Sequence, residues 1–223
     1  MSTAPTGLLL DFGSVITYSL FEQHRMTEQT LGLTQGSLRW LGPLDPESDE
    51  LWRAMQRDEI SEREYWARRA AEIGRACGEE RWDMQTLLRR TRHGRPEEFI
   101  RPQMRDLLKA AAARGIRVGI HSNELELFYG KEFLGRTGIL DDIAAVVDGS
   151  HSGILKPDRV SFDLAVSAMG MPASRLLFVD DQFRNIAGAQ AAGLQTQQFD
   201  LRDVAGCIAA IAARLRISPG GPA

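Results

Sequence analysis

Short apolar runs alternate with amphipathic stretches through the second half of this chain. Five runs of three to six residues have the length and composition of buried strands. They are Leu8–Leu10, Ile116–Ile120, Ile143–Val147, Leu176–Val179 and Leu194–Phe199. The stretches between the later runs show helical periodicity, at Gln103–Arg114, Glu124–Arg136, Arg159–Met169 and Phe183–Ala192. Strands that alternate with helices of this length predict an α/β fold with a parallel sheet and helices on both of its faces.

Residues 18–97 break this alternation, because they show helical periods and no candidate strand. The expected helices are roughly Leu20–Leu31, Ser48–Asp58, Ser61–Ile73 and Glu79–Arg90. We therefore expect a helical insertion over 18–97, between the first strand and the rest of a core made of residues 1–17 and 98–216. Residues 217–223, rich in Gly and Pro, are expected to form a disordered tail.

Composition and charge exclude some classes of protein. With 43% hydrophobic and 26% charged residues and a net charge of −3, nothing indicates a nucleic-acid or membrane partner. Two isolated cysteines, Cys77 and Cys207, form no zinc-binding pattern and fit a reducing compartment. No signal peptide or membrane-spanning run is visible. We expect a cytoplasmic monomer or homodimer that acts on a small molecule.

Chemically useful side chains follow four of the expected strands. Asp11 ends the first strand and His121-Ser122-Asn123 ends the second, while Lys156 lies in Gly153–Asp158 after the third and Asp180-Asp181 ends the fourth. In an open α/β sheet these positions meet at the edge where ligands bind. A carboxylate nucleophile, a lysine, Mg²⁺-binding acids and polar side chains for phosphate oxygens are what phosphoryl transfer requires. Any one of these features alone is more simply explained as a turn or a helix cap.

The order of the four segments resembles the motifs of the haloacid dehalogenase-like (HAD) hydrolase superfamily. The segments are LLLDFGSV, IHSN, GILKPD and LLFVDDQFRNIAGAQAAG. The resemblance covers about residues 7–200, and the last motif is the most specific. It implies a Rossmann-like core, and it implies that the insertion is a mobile helical cap of the type-1 kind that closes over the substrate.

The resemblance also implies roles for the residues that match each motif. Asp11 matches the nucleophile that forms an aspartyl-phosphate, and Ser122, with Asn123 beside it, matches the phosphate-binding position. Lys156 matches the lysine that steadies the nucleophile and the phosphate.

The acidic pair and the first motif also match a Mg²⁺ site. Asp181 corresponds to the acidic metal ligand, and Asp180 to an acid that contacts the lysine or a metal-bound water. Asp11 would bind the same ion. Gly13 occupies the position whose main-chain carbonyl binds this ion in the family. Specificity would come from the cap, with Tyr18 and Phe21 near its opening.

Position 13 departs from the pattern of the family's phosphatases, which carry a second Asp there as the general acid and base. Such help is typically worth about 10²–10⁴-fold in rate. A phosphatase without it would favour good leaving groups or use another residue. Glu124, His121, His24 and Ser14 through a water are the candidates, and each also has a simpler structural role.

Two alternatives remain open from the sequence. A 2-haloacid dehalogenase needs no proton donor, although such enzymes need no metal and lack the acidic pair seen at Asp180-Asp181. A non-catalytic relative that binds a phosphorylated ligand or a partner protein is the other. Retention of Asp11, Lys156 and both acids argues against it.

Overall fold

The computed structural model describes residues 4–92 and 94–218. Its centre is a five-stranded sheet in which every pairing is parallel, in the order β3-β2-β1-β4-β5. The strands are β1 (Gly7–Leu10), β2 (Arg117–Ser122), β3 (Ala145–Asp148), β4 (Leu176–Asp180) and β5 (Gln195–Gln198). The expected α/β fold with a Rossmann-like parallel sheet is confirmed.

Nine α-helices occur in the described residues. Four lie in the insertion that follows β1: α1 (His24–Leu31), α2 (Glu50–Gln56), α3 (Glu62–Ala76) and α4 (Met84–Arg92). The others are α5 (Pro102–Ala113), α6 (Leu125–Thr137), α7 (Arg159–Met169), α8 (Phe183–Ala191) and α9 (Val204–Leu215). None of them is both long and apolar enough to cross a lipid bilayer.

Alternate residues of the strands point to opposite faces of the sheet and supply two separate apolar clusters. On one face, Leu8 and Leu10 of β1 join the larger cluster, which includes residues of α5, α6 and α9 and of the inserted helices. On the other face, Leu9 packs in the smaller cluster with residues of α7 and α8. The sheet is therefore a middle layer between two layers of helices, and almost all of its central strands is buried.

Two of the inserted helices, α2 and α3, begin at a polar side chain that caps them. The Asp49 carboxylate accepts a hydrogen bond from the Trp52 amide at 2.9 Å and starts α2, and the Ser61 hydroxyl accepts from the Glu64 amide at 3.1 Å and starts α3. The helix expected from Glu79 begins only at Met84. The Glu79 amide instead bonds to the Gly74 carbonyl at the end of α3.

Within the insertion, Asp49 is fully buried and is also a hub for side chains of α3. The Tyr65 hydroxyl donates to it at 2.7 Å, and Arg69 forms an ion pair with it. Helix α4 packs against α6 and so joins the insertion to the core.

The carboxyl-terminal end differs in part from expectation. Residue Ile217, the first residue of the expected tail, is 7% exposed and packs in the larger apolar cluster. The rest of that expected tail, from 219 onward, lies outside the described residues.

Candidate active site

The carboxyl ends of β1 and β4 lie side by side at the point where the strand order reverses. Chain order runs outward from β1 through β2 to β3, and then returns to β4 on the other side of β1. Ligands of open α/β sheets bind in the crevice at such a point. A pocket of about 700 Å³, counting space that is open to solvent, occurs there.

Lys156 connects the first and last of the four segments. Its Nζ donates to Asp11 Oδ1 and to Asp180 Oδ2, at 2.7 Å in both cases. Its side chain is 2% exposed, so both ion pairs lie away from bulk water. Burial alone would lower the pKa of the Lys156 ammonium, but the two carboxylates raise it above its usual value. The lysine therefore stays charged, next to the Asp11 carboxylate.

Asp180 does not line the pocket, contrary to its expected place in a metal site. Its carboxylate is fully occupied by protein donors: Lys156 Nζ, the Gln182 amide at 2.8 Å, and Asn185 Nδ2 at 3.0 and 3.1 Å to its two oxygens. Its contact with the lysine agrees with the other role that was expected of it. Asp180 thus fixes the position of Lys156.

Asp11 and Asp181 both face the pocket and influence each other. Burial raises the pKa of Asp11 to about 7, and Asp180 and Glu62 act in the same direction, against Lys156. Burial also raises the pKa of Asp181 well above its usual range, and Asp180 and Asp11 add to this shift. In the described part of the chain, neither Asp11 Oδ2 nor the Asp181 carboxylate has a hydrogen-bond partner.

These two carboxylates make the site suitable for a divalent cation. Within 4–92 and 94–218 there is no group of three or more His, Cys, Asp or Glu side chains that could hold a metal ion. An ion here would have Asp11 and Asp181 as its carboxylate ligands, with Gly13 also at the pocket wall. This number of carboxylates suits Mg²⁺, which keeps several of its waters or binds substrate phosphate. A bound cation would also favour the ionised form of both acids.

Ser122 and Asn123 both reach the pocket, but they are engaged differently. The Ser122 hydroxyl has no hydrogen-bond partner in the described residues and is available to a ligand. Asn123 Oδ1 accepts from the Lys156 amide at 2.7 Å, and its Nδ2 donates to the Lys156 carbonyl at 3.2 Å. The Asn123 side chain therefore holds the loop that carries the lysine, a role that the sequence did not indicate.

Two of the proposed acid–base substitutes lie away from the pocket. His121 Nε2 is 2.7 Å from the Ser161 hydroxyl, and its ring packs edge-on to Phe162. It points to the face of the sheet opposite Ser122, because neighbouring strand residues alternate. His24 is buried in the inserted helices, with its ring centroid 4.3 Å from that of Trp40. Neither imidazole lines the pocket at Asp11.

Glu124 and Ser14 do line the pocket. The Glu124 carboxylate is paired with Arg63 of α3 through two hydrogen bonds, at 2.9 and 3.0 Å. Burial raises the pKa of Glu124, although Arg63 opposes the shift. The ion pair joins the inserted helices to the core across the pocket.

A second bridge crosses the same opening. Arg184 of α8 donates to Asp58 at 3.0 Å and lies 3.7 Å from Glu62. Glu62, in the first turn of α3, also accepts from Asn123 Nδ2 at 3.3 Å. No sequence pattern points to Glu62, because its position depends on how the inserted helices dock on the core.

The insertion forms the apolar wall of the pocket. Tyr18 and Phe21 line it, as expected for residues near the opening, and Phe21 lies 5.4 Å from both Trp52 and Trp66, centroid to centroid. Trp52 and Trp66 also line the pocket. Arg92 at the end of α4 lines the same pocket, and Phe128 and Tyr129 of α6 line it from the core.

Comparison with known proteins agrees with this geometry. The sequence profile described as haloacid dehalogenase-like hydrolase matches residues 6–193. The chain belongs to this family. The match covers all four motif segments up to Gly193 and the whole helical insertion, so the resemblance seen in the sequence is confirmed.

Individual relatives support the same placement. The chain is 28% identical over 99 residues to a phosphatase of Mycobacterium tuberculosis (strain CDC 1551 / Oshkosh), covering 44% of this chain and 46% of the relative. It is 36% identical over 88 residues to phosphoglycolate phosphatase of Rhodospirillum rubrum, covering 40% and 36%. The matched part thus spans less than half of these curated relatives.

Among solved structures, the putative HAD hydrolase YfnB of Bacillus subtilis, determined with bound magnesium, superposes with a TM-score of 0.66. The match has 18% identity and covers 88% of this chain and 87% of that protein. At this level of identity the likeness concerns the fold alone.

The buried imidazole of His24 leads to a prediction about stability and pH. Burial lowers its pKa to about 4, from about 6.5 in an unfolded chain. The unfolded state therefore binds the proton more tightly. The stability that comes from the neutral ring is present above about pH 6.5 and is lost as the pH falls toward 4. Between pH 7 and pH 5 we expect this histidine to reduce the free energy of unfolding by about 2 kcal/mol.

Urea unfolding of the wild type and of His24→Phe at both pH values measures this effect. The variant should lose about 2 kcal/mol less than the wild type between pH 7 and pH 5. His151→Gln is a matched control, because the His151 side chain is 71% exposed. Equal pH dependence in the wild type and in His24→Phe would contradict the prediction.

Proposed function

We propose that this HAD-like protein is a Mg²⁺-dependent phosphatase of a small phosphorylated metabolite, with Asp11 as the nucleophile. The observation that supports this most directly is the position of Lys156, which contacts both Asp11 and Asp180 at 2.7 Å beside the free acid Asp181. Phosphoryl transfer depends on positioning and on neutralising charge, and this arrangement supplies both.

In the first step, an oxygen of Asp11 attacks phosphorus while the bond to the leaving oxygen breaks. Lys156 stabilises the negative charge on the phosphoryl oxygens, and the Ser122 hydroxyl donates to one of them. In the second step, a water attacks phosphorus, the bond to Asp11 breaks, the proton lost by that water passes to solvent, and phosphate leaves. Mg²⁺ held by Asp11, Asp181 and Gly13 would add positive charge at the phosphate.

Trapping the covalent intermediate tests this proposal. The protein is mixed with acetyl phosphate or p-nitrophenyl phosphate in the presence of Mg²⁺ and quenched in acid, and peptide mass spectrometry locates any added phosphate. We expect the modification at Asp11, together with phosphate release that stops when EDTA is added. Absence of both the modification and phosphate release across a broad panel of phosphate esters would contradict a phosphatase.

A dehalogenase is the second candidate, because displacement of halide needs no proton donor and position 13 has no acidic side chain. Halide release from chloroacetate or 2-chloropropionate that persists in EDTA would favour that reaction. The buried acid–lysine pair and the free Asp181 favour phosphoryl transfer, so we expect no halide release.

Gly13 should limit which esters are hydrolysed. Its backbone, at φ −65° and ψ 137°, is open to any residue. A Cβ there would lie 3.6 Å from the Tyr129 hydroxyl and 3.9 Å from Asp11 Oδ2, which are ordinary contacts. Gly13→Asp should therefore fold and should raise kcat/KM for alkyl phosphates by about 10²-fold, by supplying the missing acid.

Steady-state kinetics with ethyl phosphate and p-nitrophenyl phosphate measures this difference. For p-nitrophenyl phosphate, kcat/KM should change little in Gly13→Asp, because its leaving group needs no proton. Gly13→Asn has nearly the same size as the Asp variant but cannot donate an acidic proton. If the Asn variant were activated equally, or if the Asp variant gained nothing on ethyl phosphate, the role assigned to position 13 would be wrong.

A further inference from the structure

Arg92 is a buried cation at the pocket wall that no carboxylate neutralises. The residue ends α4 and is 2% exposed. Its Nη2 donates to the Tyr18 carbonyl at 3.1 Å, and its guanidinium lies 4.9 Å from the centroid of the Phe99 ring. Among the described residues, no Asp or Glu lies within ion-pair distance of it.

Glu22 is an acid whose charge acts on Arg92, but its carboxylate is already paired with other donors. Arg101 forms an ion pair with it at 2.6 Å, with a second hydrogen bond at 2.8 Å, and the Ser19 amide donates to it at 2.8 Å. Glu22 therefore acts on Arg92 only through space. A buried charge is unfavourable unless it is paired, and Arg92 faces a ligand pocket. The missing negative charge is best supplied by a ligand.

The pocket contains two different cationic positions. Lys156 lies at the sheet edge, where its charge is shared by Asp11 and Asp180. Arg92 lies at the wall formed by the insertion, among apolar side chains. Those that line the same pocket are Leu20, Phe21, Trp52, Trp66, Met84 and Leu88. In such apolar surroundings the attraction between a guanidinium and an anion is stronger than in water.

The Tyr129 hydroxyl shows how close Arg92 lies to the reacting end of the pocket. Its hydroxyl is 3.6 Å from where a Cβ at Gly13 would lie, and 3.4 Å from the Thr17 hydroxyl. The same hydroxyl is influenced by the charge of Asp11 and by the charge and a hydrogen bond of Arg92. Arg92 is thus separated from the first motif by little more than one phenol hydroxyl. A molecule that reaches from Asp11 to Arg92 must be short.

We propose that Arg92 binds a second anionic group of the substrate, so that the protein acts on small phosphate monoesters that carry a carboxylate or a second phosphate a few bonds from the reacting phosphate. This inference rests on the proposed phosphatase function. Guanidinium groups pair well with carboxylates and phosphates through two parallel hydrogen bonds. The reacting phosphate lies near Asp11, Lys156 and Ser122, and the second anion lies beyond Tyr129.

A matched pair of substrates tests the inference. 2-Phosphoglycolate carries a carboxylate where 2-hydroxyethyl phosphate carries a neutral hydroxymethyl group. We expect the wild type to have about 10–100-fold higher kcat/KM for the charged ester, the range of hydrogen bonds to charged groups. Glycerol bisphosphate against glycerol monophosphate distinguishes a second phosphate from a carboxylate. Preference for the doubly anionic member of either pair supports the inference, and no preference in both pairs overturns it.

Variants at Arg92 and on the same helix locate the effect. Arg92→Met should abolish the preference, and Arg92→Lys should keep part of it. Arg90→Met is the matched control, because Arg90 is exposed and pairs with Glu79 at 2.7 Å. It should keep the wild-type ratio. If Arg92→Met lowered kcat/KM by the same factor for both esters of a pair, Arg92 would act on the reacting phosphate. That result would overturn the inference.

A binding measurement separates this inference from the catalytic proposal. Phosphonoacetate and ethylphosphonate cannot be hydrolysed, and only the first carries a carboxylate. Thermal unfolding should show a larger stabilisation of the wild type by phosphonoacetate, absent in Arg92→Met. This difference without any phosphate release would support the anion site and refute the phosphatase. Equal stabilisation by both phosphonates would overturn the anion site; if Arg92→Met does not fold, the wild-type comparison decides.

Discussion

Replacing Asp11 by Asn should reduce phosphatase turnover at least about 10⁴-fold, the scale expected when a covalent nucleophile is removed. The amide has nearly the same shape as the carboxylate but is a very weak nucleophile. It can still accept a hydrogen bond from Lys156, which donates to Asp11 at 2.7 Å in the wild type. The fold should therefore survive, and the loss should be confined to chemistry.

Release of phosphate from p-nitrophenyl phosphate and acetyl phosphate measures this effect, with circular dichroism to confirm folding. Asp163→Asn is a suitable control, because Asp163 pairs with Arg159 on the exposed side of α7 at 2.9 Å. It should leave turnover unchanged. A folded Asp11→Asn protein that kept a tenth or more of wild-type turnover would exclude Asp11 as the nucleophile.

Replacing Lys156 by Met should harm both stability and activity. The side chain is 2% exposed and has two carboxylate partners, so its removal leaves Asp11 and Asp180 buried without a counter-charge. Breaking a buried ion pair by removing one partner typically costs about 3–5 kcal/mol of unfolding free energy. Loss of a group that stabilises transition-state charge should also lower kcat about 10²–10³-fold or more.

Urea unfolding at pH 7 and pH 5 tests the electrostatic cause. Lys156 holds the pKa of Asp11 down, so without the lysine that pKa rises further and protonation at pH 5 relieves part of the destabilisation. The double variant Lys156→Met with Asp180→Asn should regain stability but not activity. Lys109→Met on the exposed side of α5 is the control. A loss of stability that is the same at both pH values, with no gain from the second change, would point to packing instead.

The sheet and the meeting point of its motifs could be predicted because both depend on local patterns. The apolar runs that became β1 and β4 are long enough to be recognised as buried strands. Parallel strands then bring their carboxyl ends together, which placed Asp11, Lys156 and Asp180 within contact of one another. The sequence could not show that Asp180 is saturated by Asn185 and Gln182, because this depends on how tightly α8 packs at the end of β4.

His121 and His24, two possible acid–base substitutes, have the simpler structural role, and the sequence could show this for only one of them. His121 could have been excluded from the alternation of side chains in β2, since it is adjacent to Ser122 and must face the other helix layer. His24 could not, because its burial depends on Trp40, which reaches it through the docking of the inserted helices. The same dependence on docking concealed Glu62 and Arg92, whose neighbours are distant in sequence.

The inserted helices are joined to the core unequally on the two sides of the pocket. On the α4 side they pack on α6, and on the α3 side they are joined through the bridges from Arg63 and Arg184. Ion pairs with solvent-exposed members contribute about 0–1 kcal/mol each and are readily replaced by water and salt, whereas separating apolar surfaces costs more. The inserted helices should therefore separate from the core on the α3 side of the pocket, with the contact between α4 and α6 serving as the hinge. Dissolved salt would then shorten the time for which the entrance stays shut.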